Sequence, residues 1–582
     1  MHPRGDFSPT WSRDGSKLAF LSARHNRDDD IWFVWLKKSD WQKTKAEWDD
    51  EANQSKKKSA AKKPSASKKS NSAGKDKKKT VIKPIHIDLQ GIHERVVQVT
   101  RLDGNEGSLA ISKDGKTFYF SSRVPGAKGR DIFQIKWDGT KAKKLSRGGI
   151  NPRGLELGPK GKYIYYLKRG RLARMGCKSG KAQSIPFKAR MKQNHMMELQ
   201  QIFGEAWRTI RDGFYDPDFH GQDMEKLKAK YQKRCLRAST KQDFAAQFNE
   251  MLGQLNASHM GLYARSGREE TQRIRTGRIG LEVKAVKSGV EITRIVPDSP
   301  ADRVISKLSV GDRIVRVDGQ IVSGHTNFWA LMADTADQKV LLAVKNKKGK
   351  IREVVIRPKS NLNSELYDEW VRDNRRLVDK YSKGQLGYLH IQGMSMPSFE
   401  RFERELASAG YGKKGIVIDV RFNGGGWTTD FLMAILNVKQ HAYTIPRGAA
   451  KSLSEHPKFK DYYPFGVRLP FYAWNKPSIA LCNANSYSNA EIFSHAFKTL
   501  GLGKLVGKPT FGAVISTGGR GLMGGMYVRR PFRAWYVKAS GKNMEWEPAV
   551  PDFDVDNAPD NRFKKTDAQL KKACDELMKT IK

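Results

Sequence analysis

Acidic residues are scarce in this chain: 61 Asp and Glu stand against 107 Lys and Arg, a formal net charge of +46 over 582 residues. Cysteine is scarcer still. The four present, Cys177, Cys235, Cys482 and Cys574, are too scattered for metal-ligand or redox spacing, so four free thiols in a reducing compartment are expected. No His/Cys or carboxylate cluster argues for a metal, and no cofactor is expected. No window approaches 18 consecutive apolar residues, which excludes a membrane-spanning helix. The start, Met1 to Pro9, has none of the apolar stretch of a secretory signal. A cytoplasmic protein is therefore expected, or an exported one if the N-terminus is truncated.

Part of the charge excess is local. From Glu51 to Thr80, eleven lysines face only Glu51 and Asp76 among Ser and Ala. Such a run cannot bury enough apolar surface to fold, so residues 38–82 read as a disordered insertion. The rest of the charge is spread along the chain. No recognition helix, zinc finger or aromatic RNA-binding motif accompanies it, so nucleic acid is an unfavoured partner and a generally basic surface, with attraction to acidic peptides as its consequence, is the better reading.

At this length three or four domains are expected. The N-terminal part repeats itself. Phe7–Phe20 is echoed by Leu109–Phe120 and again by Leu155–Tyr166, the last two copies 46 residues apart. Each places Asp-Gly or Lys-Gly between alternating apolar runs, a hairpin signal, and the period suits a four-stranded propeller blade. About four blades fit before residue 188, which reads as a chain starting partway through a propeller; an open β-meander is the alternative. From Met191 to about Arg265 the apolar spacing turns helical: Met196, Met197, Leu199, Ile202 and Phe203, then Phe244, Phe248, Met251, Leu252 and Leu255. His259 lies at the exit of the second helical run, where a histidine is commonly a cap or a surface residue.

Beyond residue 358, Gly387–Ile391 and Gly415–Arg421 read as buried strands in α/β layers. The second runs into Gly424-Gly425-Gly426, which lets backbone N–H groups approach a ligand. No Gly-Lys-Ser/Thr follows, which disfavours a phosphate loop. The apolar run Pro477–Cys482 leads to Asn485-Ser486-Tyr487-Ser488-Asn489-Ala490-Glu491, at the start of a helical stretch. A serine there serves as a plain N-cap, or as a nucleophile beside free N–H groups and the positive end of the helix dipole.

Residues 277–358 carry Ile279-Gly280-Leu281, Val296-Pro297-Asp298-Ser299-Pro300-Ala301 and Val310-Gly311-Asp312-Arg313-Ile314, and resemble a PDZ domain. The resemblance implies a groove for a peptide C-terminus, its carboxylate held near Ile279, Gly280 and Leu281. In this order with Asp419–Gly426, Ser486–Glu491 and Gly507–Gly512, the chain resembles the carboxyl-terminal processing proteases, and more closely their tricorn protease branch. The processing branch carries a lysine base after Pro-Thr-Phe-Gly. Here Ala513 stands in that place, which disfavours a Ser/Lys dyad.

That resemblance implies a multidomain α/β plus β architecture. Its parts are a partial β-propeller (1–188, with the insertion 38–82), a helical segment carrying the catalytic His (189–270), a PDZ domain (271–358) and a crotonase-like α/β serine protease core (359–582). It implies Ser488 as nucleophile rather than Ser486, and His259 as base, with His495 a rival. Ser258 and Glu545 support them, Glu547 competing with Glu545. Asn489 and Gly425 would form the oxyanion hole. Oligopeptides or unfolded proteins are the implied substrates and a hexamer the implied assembly. Two departures stand out: the propeller region is shorter than the family's, and Glu545–Val550 lacks the glycine usual before the valine. A catalytically inactive PDZ/propeller scaffold is the alternative reading, and a nucleic-acid binder a third.

Overall fold

A computed structural model describes residues 5–24, 28–44, 47–48, 50–51, 84–124, 126–264, 274–440, 442–449, 451–461 and 473–581. The chain divides into two compact units, 1–192 and 193–582.

The first unit holds three four-stranded antiparallel sheets among its described residues. Their strands follow in chain order: β1 (Asp6–Trp11), β2 (Lys17–Ser22), β3 (Asp30–Trp35) and β4 (Val96–Gln98); β5 (Gly107–Ile111), β6 (Thr117–Ser122), β7 (Asp131–Lys136) and β8 (Lys143–Lys144); β9 (Pro152–Leu157), β10 (Tyr163–Lys168), β11 (Arg171–Gly176) and β12 (Ala182–Ser184). The repeat seen in the sequence is a repeat of one turn. Ser12 N–H donates to Lys17 O and Gly15 N–H to Ser12 O; Ser112, Thr117 and Gly115 do the same, as do Gly158, Tyr163 and Gly161. The three turn glycines have φ of 71°, 66° and 67°, where a side chain would be strained. Apolar side chains of the first and second sheets share one core, and those of the second and third another.

Three sheets are described where about four were expected, because the first spans residues 6–98 and takes up the length of the lysine-rich stretch. Of that stretch, 52–83 lies outside the described residues. Its beginning is structured: Lys38–Trp41 form one helical turn, α1, and the Trp48 ring stacks on Trp35 at 5.1 Å. Lys43 joins this anchor, with its Nζ 4.4 Å from the Trp48 ring and 2.8 Å from Glu51 Oε1.

The second unit begins with α2 (His195–Arg211), α3 (Met224–Cys235) and α4 (Lys241–Gly253), capped by Asn194, Asp223 and Thr240, whose side chains accept from first-turn N–H groups. The chain then enters β13 (Gly261–Tyr263). A β-rich segment follows: β14 (Leu281–Ala285), β15 (Val290–Ile295), β16 (Arg313–Val317), β17 (Gln320–Ile321), the short helix α5 (Phe328–Leu331), β18 (Val340–Lys345) and β19 (Ile351–Ile356). Its main sheet runs β14-β15-β16-β18-β19, so β14 lies at an edge. The boundary expected at 270 lies outside the described residues.

The remainder is layered. Strands β20 (Leu386–His390), β21 (Gly415–Asp419), β22 (Ser478–Cys482), β23 (Leu505–Gly507) and β26 (Phe553–Asp554) form one parallel sheet in that order. Alternate residues point to opposite faces. Ile416, Ile418 and Ala480 pack under α7 (Met396–Gly410), α8 (Thr429–Leu436) and α9 (Asn489–Thr499). Val417, Ile479 and Leu481 pack under α6 (Asn363–Ser382) and α10 (Ala568–Thr580). A hairpin of β24 (Ile515–Gly521) and β25 (Tyr527–Ala534) returns to pair with β13, and Val528 joins the core of the helical segment. That pairing brings a residue near 259 to residues beyond 480. No described helix is long and apolar enough to cross a membrane.

Candidate active site

Strand β22 ends in a tight connection to α9, and Ser488 sits at its tip with φ 59° and ψ −118°. Positive φ is costly for a residue with a side chain, so the surroundings must impose it. Glu491 does much of this. Fully buried, it accepts from Ser488 N–H (2.9 Å), Gly512 N–H (2.5 Å), Ala513 N–H (3.0 Å) and the Thr510 hydroxyl (2.8 Å). Burial pushes its pKa up, while these donors pull the other way. The signal for it in the sequence was the Ser-x-x-Glu spacing of a capping box.

Opposite Ser488 lies His259, held at φ 60° just before β13. Its Nε2 is 3.0 Å from Ser488 Oγ and its Nδ1 2.5 Å from Ser258 Oγ. Ser258 donates its hydroxyl to Glu545 Oε2 (3.0 Å) and its N–H to Oε1 (2.5 Å). With the Ser258 proton directed to Glu545, its lone pair is available to an Nδ1–H, which leaves Nε2 as the acceptor facing Ser488. Burial, then the nearby Arg529 cation, pushes the His259 pKa down to about 4. Burial raises that of Glu545, against the Ser258 hydrogen bonds.

The rivals are placed elsewhere. Ser486 is fully buried and donates to Val420 O. His495 Nε2 bonds Glu547 O at 3.1 Å. The Glu547 carboxylate is ion-paired with Lys542 at 3.2 Å. The Glu545 loop is braced by Trp546, whose ring meets His220 at 4.8 Å, while His220 Nδ1 bonds Leu255 O at 2.6 Å.

At the glycine run, a Cβ on Gly425 would fall 2.6 Å from Tyr487 O and 2.7 Å from Ser488 Cβ, so only glycine permits this approach. The Gly425 N–H donates to Asn423 Oδ1 at 2.9 Å. The Asn489 side chain accepts from Thr429 N–H at 3.0 Å, and its backbone nitrogen, at the start of α9, lies 2.9 Å from where a Cβ on Gly425 would fall. Sequence reading missed Tyr487, whose ring stacks on His259 at 4.7 Å with its hydroxyl 3.1 Å from Nδ1. Nothing but its place beside Ser488 marked it.

In the β-rich segment, Ile279 and Leu281 are buried, and Gly280 has φ 87° with its carbonyl accepting from Val296 N–H at 2.8 Å. Ile279 and Gly280 lead into the edge strand β14, whose first residue is Leu281.

Comparison with known proteins matches the same segments. The profile for Peptidase family S41 fits residues 385–555, that for the PDZ domain 270–345, and that for the Tricorn protease C1 domain 197–253. A putative tricorn-like protease C-terminal subunit of Sulfurisphaera tokodaii is 27% identical, covering 99% of this chain and 65% of that protein. Along its whole length the chain is similar to the tricorn protease family. A tricorn protease homolog of Saccharolobus solfataricus is also 27% identical, covering 99% of this chain and 52% of its own length. The crystal structure of the tricorn protease superposes with a TM-score of 0.75 at 21% identity, over all of this chain and 55% of that one. The fold is tricorn-like, with PDZ and S41 peptidase domains. The chain spans between about half and two-thirds of these tricorn relatives.

Proposed function

We infer that this tricorn-like chain is a serine peptidase that cleaves oligopeptides or unfolded proteins through an acyl-enzyme. The observation that carries the reading is the continuous path Glu545–Ser258–His259–Ser488, with contacts of 3.0, 2.5 and 3.0 Å. Ser488 Oγ attacks the scissile carbonyl as His259 Nε2 takes its proton. Ser258 and Glu545 stabilise the imidazolium that forms, and His259 then gives the proton to the leaving amine. Water enters by the same route and releases the acyl group. The Asn489 N–H and the Gly425 N–H stabilise the oxyanion, the latter shared with Asn423 Oδ1 in the resting site.

The three sheets of the first unit act in this reading as a partial propeller, and the layered core as a crotonase-like fold. The four segments keep the bounds 1–188, 189–270, 271–358 and 359–582. The PDZ edge strand, with Ile279, Gly280 and Leu281, takes a substrate C-terminus, and the assembly is a hexamer.

The test is hydrolysis of a mixed peptide library read by mass spectrometry, with fluorophosphonate labelling mapped by peptide fragmentation. Label on Ser488 and cleavage lost in Ser488→Ala are expected. Label elsewhere, or equal cleavage by both proteins, rejects the assignment. Failure of both assays favours a noncatalytic scaffold.

The acid limb of kcat/KM is a second test. The base is neutral imidazole, and its pKa is depressed to about 4 by burial and Arg529. Activity should therefore persist as pH falls through 6.5, the ordinary histidine value, and be lost only near 4. A limb at 6.5 or above contradicts that environment.

A further inference from the structure

Arg529 lies in register with Gly261 across the β13–β25 pair, two residues beyond His259. Period-2 alternation puts Val528 into the core and Arg529 on the opposite face, with Tyr527 and, across the strand, Tyr263. The two tyrosines are exposed and Arg529 half-buried. Its Nε donates to Thr517 Oγ1 at 3.0 Å, which fixes the guanidinium, and no carboxylate among the described residues pairs with it. This half-buried cation sits on the strand that pairs with the segment following His259. It disfavours the imidazolium that acyl transfer must generate.

We propose that Arg529 is a specificity-determining residue that pairs with a carboxylate of the substrate, either an acidic side chain or the peptide's C-terminus, beside the scissile bond. The proposal rests on the peptidase reading above. A guanidinium fork suits a carboxylate, and the exposed pair Tyr263 and Tyr527, two residues along the same face from Arg529, offers an extended peptide apolar contact on one side of the charge. Pairing would also cancel the cation's effect on His259. The substrate's own carboxylate would then strengthen the base that attacks it, so selectivity should enter kcat as well as KM. The other groups facing His259 are Ser258, Tyr487, Ser488 and Glu545, with Glu491 acting on Glu545; none of them opposes the Arg529 charge with a direct ion pair.

The experiment compares cleaved peptides carrying Glu or Gln at each position near the scissile bond, each with a free or amidated C-terminus. For the wild type, one carboxylate should raise kcat/KM by about 10-fold, the scale of one charge-assisted hydrogen bond. An effect confined to one Glu position identifies a side chain; one confined to free C-termini identifies the terminus. Arg529→Gln should bring the ratio to about 1 and move the acid limb for the neutral, amidated peptide to higher pH; Arg529→Lys should restore part of the preference. A wild type without preference, or a preference kept in Arg529→Gln, overturns the proposal while Ser488-dependent cleavage stands. Absence of Ser488-dependent cleavage overturns the peptidase reading and this proposal with it.

Discussion

Replacing Ser488 with alanine should lower kcat by about 10^6-fold, and His259→Ala by a similar factor. The two are not independent contributions. Without the imidazole at 3.0 Å the hydroxyl has no acceptor for its proton, and without the hydroxyl the imidazole has nothing to activate. The double variant should therefore be no slower than either single one, within about 10-fold, whereas independent effects would multiply. Residual hydrolysis above the uncatalysed rate would come from binding and from the backbone donors at Asn489 and Gly425. Glu545→Gln should cost less, because Ser258 can still donate to the amide oxygen while the negative charge is lost. The measurement is single-turnover hydrolysis of one peptide, with circular dichroism as a check on folding. Multiplicative losses would mean that the two residues do not act as a unit.

Arg421→Met should destabilise the second unit by about 3–5 kcal/mol, the usual cost of removing one partner of a buried ion pair. Arg421 is almost wholly buried. It forks onto Asp419 through Nη2 (2.7 Å) and Nε (3.0 Å), and its Nη1 reaches Asp567 Oδ2 (2.9 Å) and Gln569 Oε1 (2.8 Å). Burial by itself would raise the Asp419 pKa; the Arg421 charge and hydrogen bonds outweigh it and hold the carboxyl below its usual range. The methionine leaves two buried carboxylates without their cation. Stability of the variant should therefore improve on acidification, as those carboxyls take up protons, while the wild-type pair loses stability as pH falls through the depressed Asp419 pKa. Urea denaturation of the second-unit transition at pH 8, 5 and 3 checks both statements: the variant should gain between pH 8 and 5, and the wild type should lose its pair only below the ordinary carboxylate range. A loss below about 1 kcal/mol would show that water reaches the network. The effect should extend to catalysis, since Phe422–Gly426 continue directly from Arg421.

The turns that carry the candidate site were legible because they are local, while the roles of its residues came from the family resemblance. Ser488 precedes a helix with Glu three residues on, three glycines follow a strand, and His259 follows a helical run; each pattern depends on backbone preferences within a few neighbours. The triply repeated Asp-Gly or Lys-Gly turn was legible for the same reason, since glycine tolerates the positive φ that the turn requires. Segments dominated by side-chain burial were less so. The beginning of the lysine-rich stretch read as unstructured by composition, yet Trp48 packs on Trp35.

What the chain could not disclose locally is which side chains meet. His259 and Ser488 are 229 positions apart and Ser258 and Glu545 287 apart, and they converge because β25 pairs with β13 while α9 packs on the parallel sheet. Only that packing separates Glu545 from Glu547, turns Ser486 inward, stacks Tyr487 on the imidazole and leaves Arg529 beside it. The residue types and the turns that present them follow from short-range dihedral and burial preferences. The site itself depends on long-range strand pairing and core packing, whose register sets distances of about 3 Å that no neighbouring residue specifies.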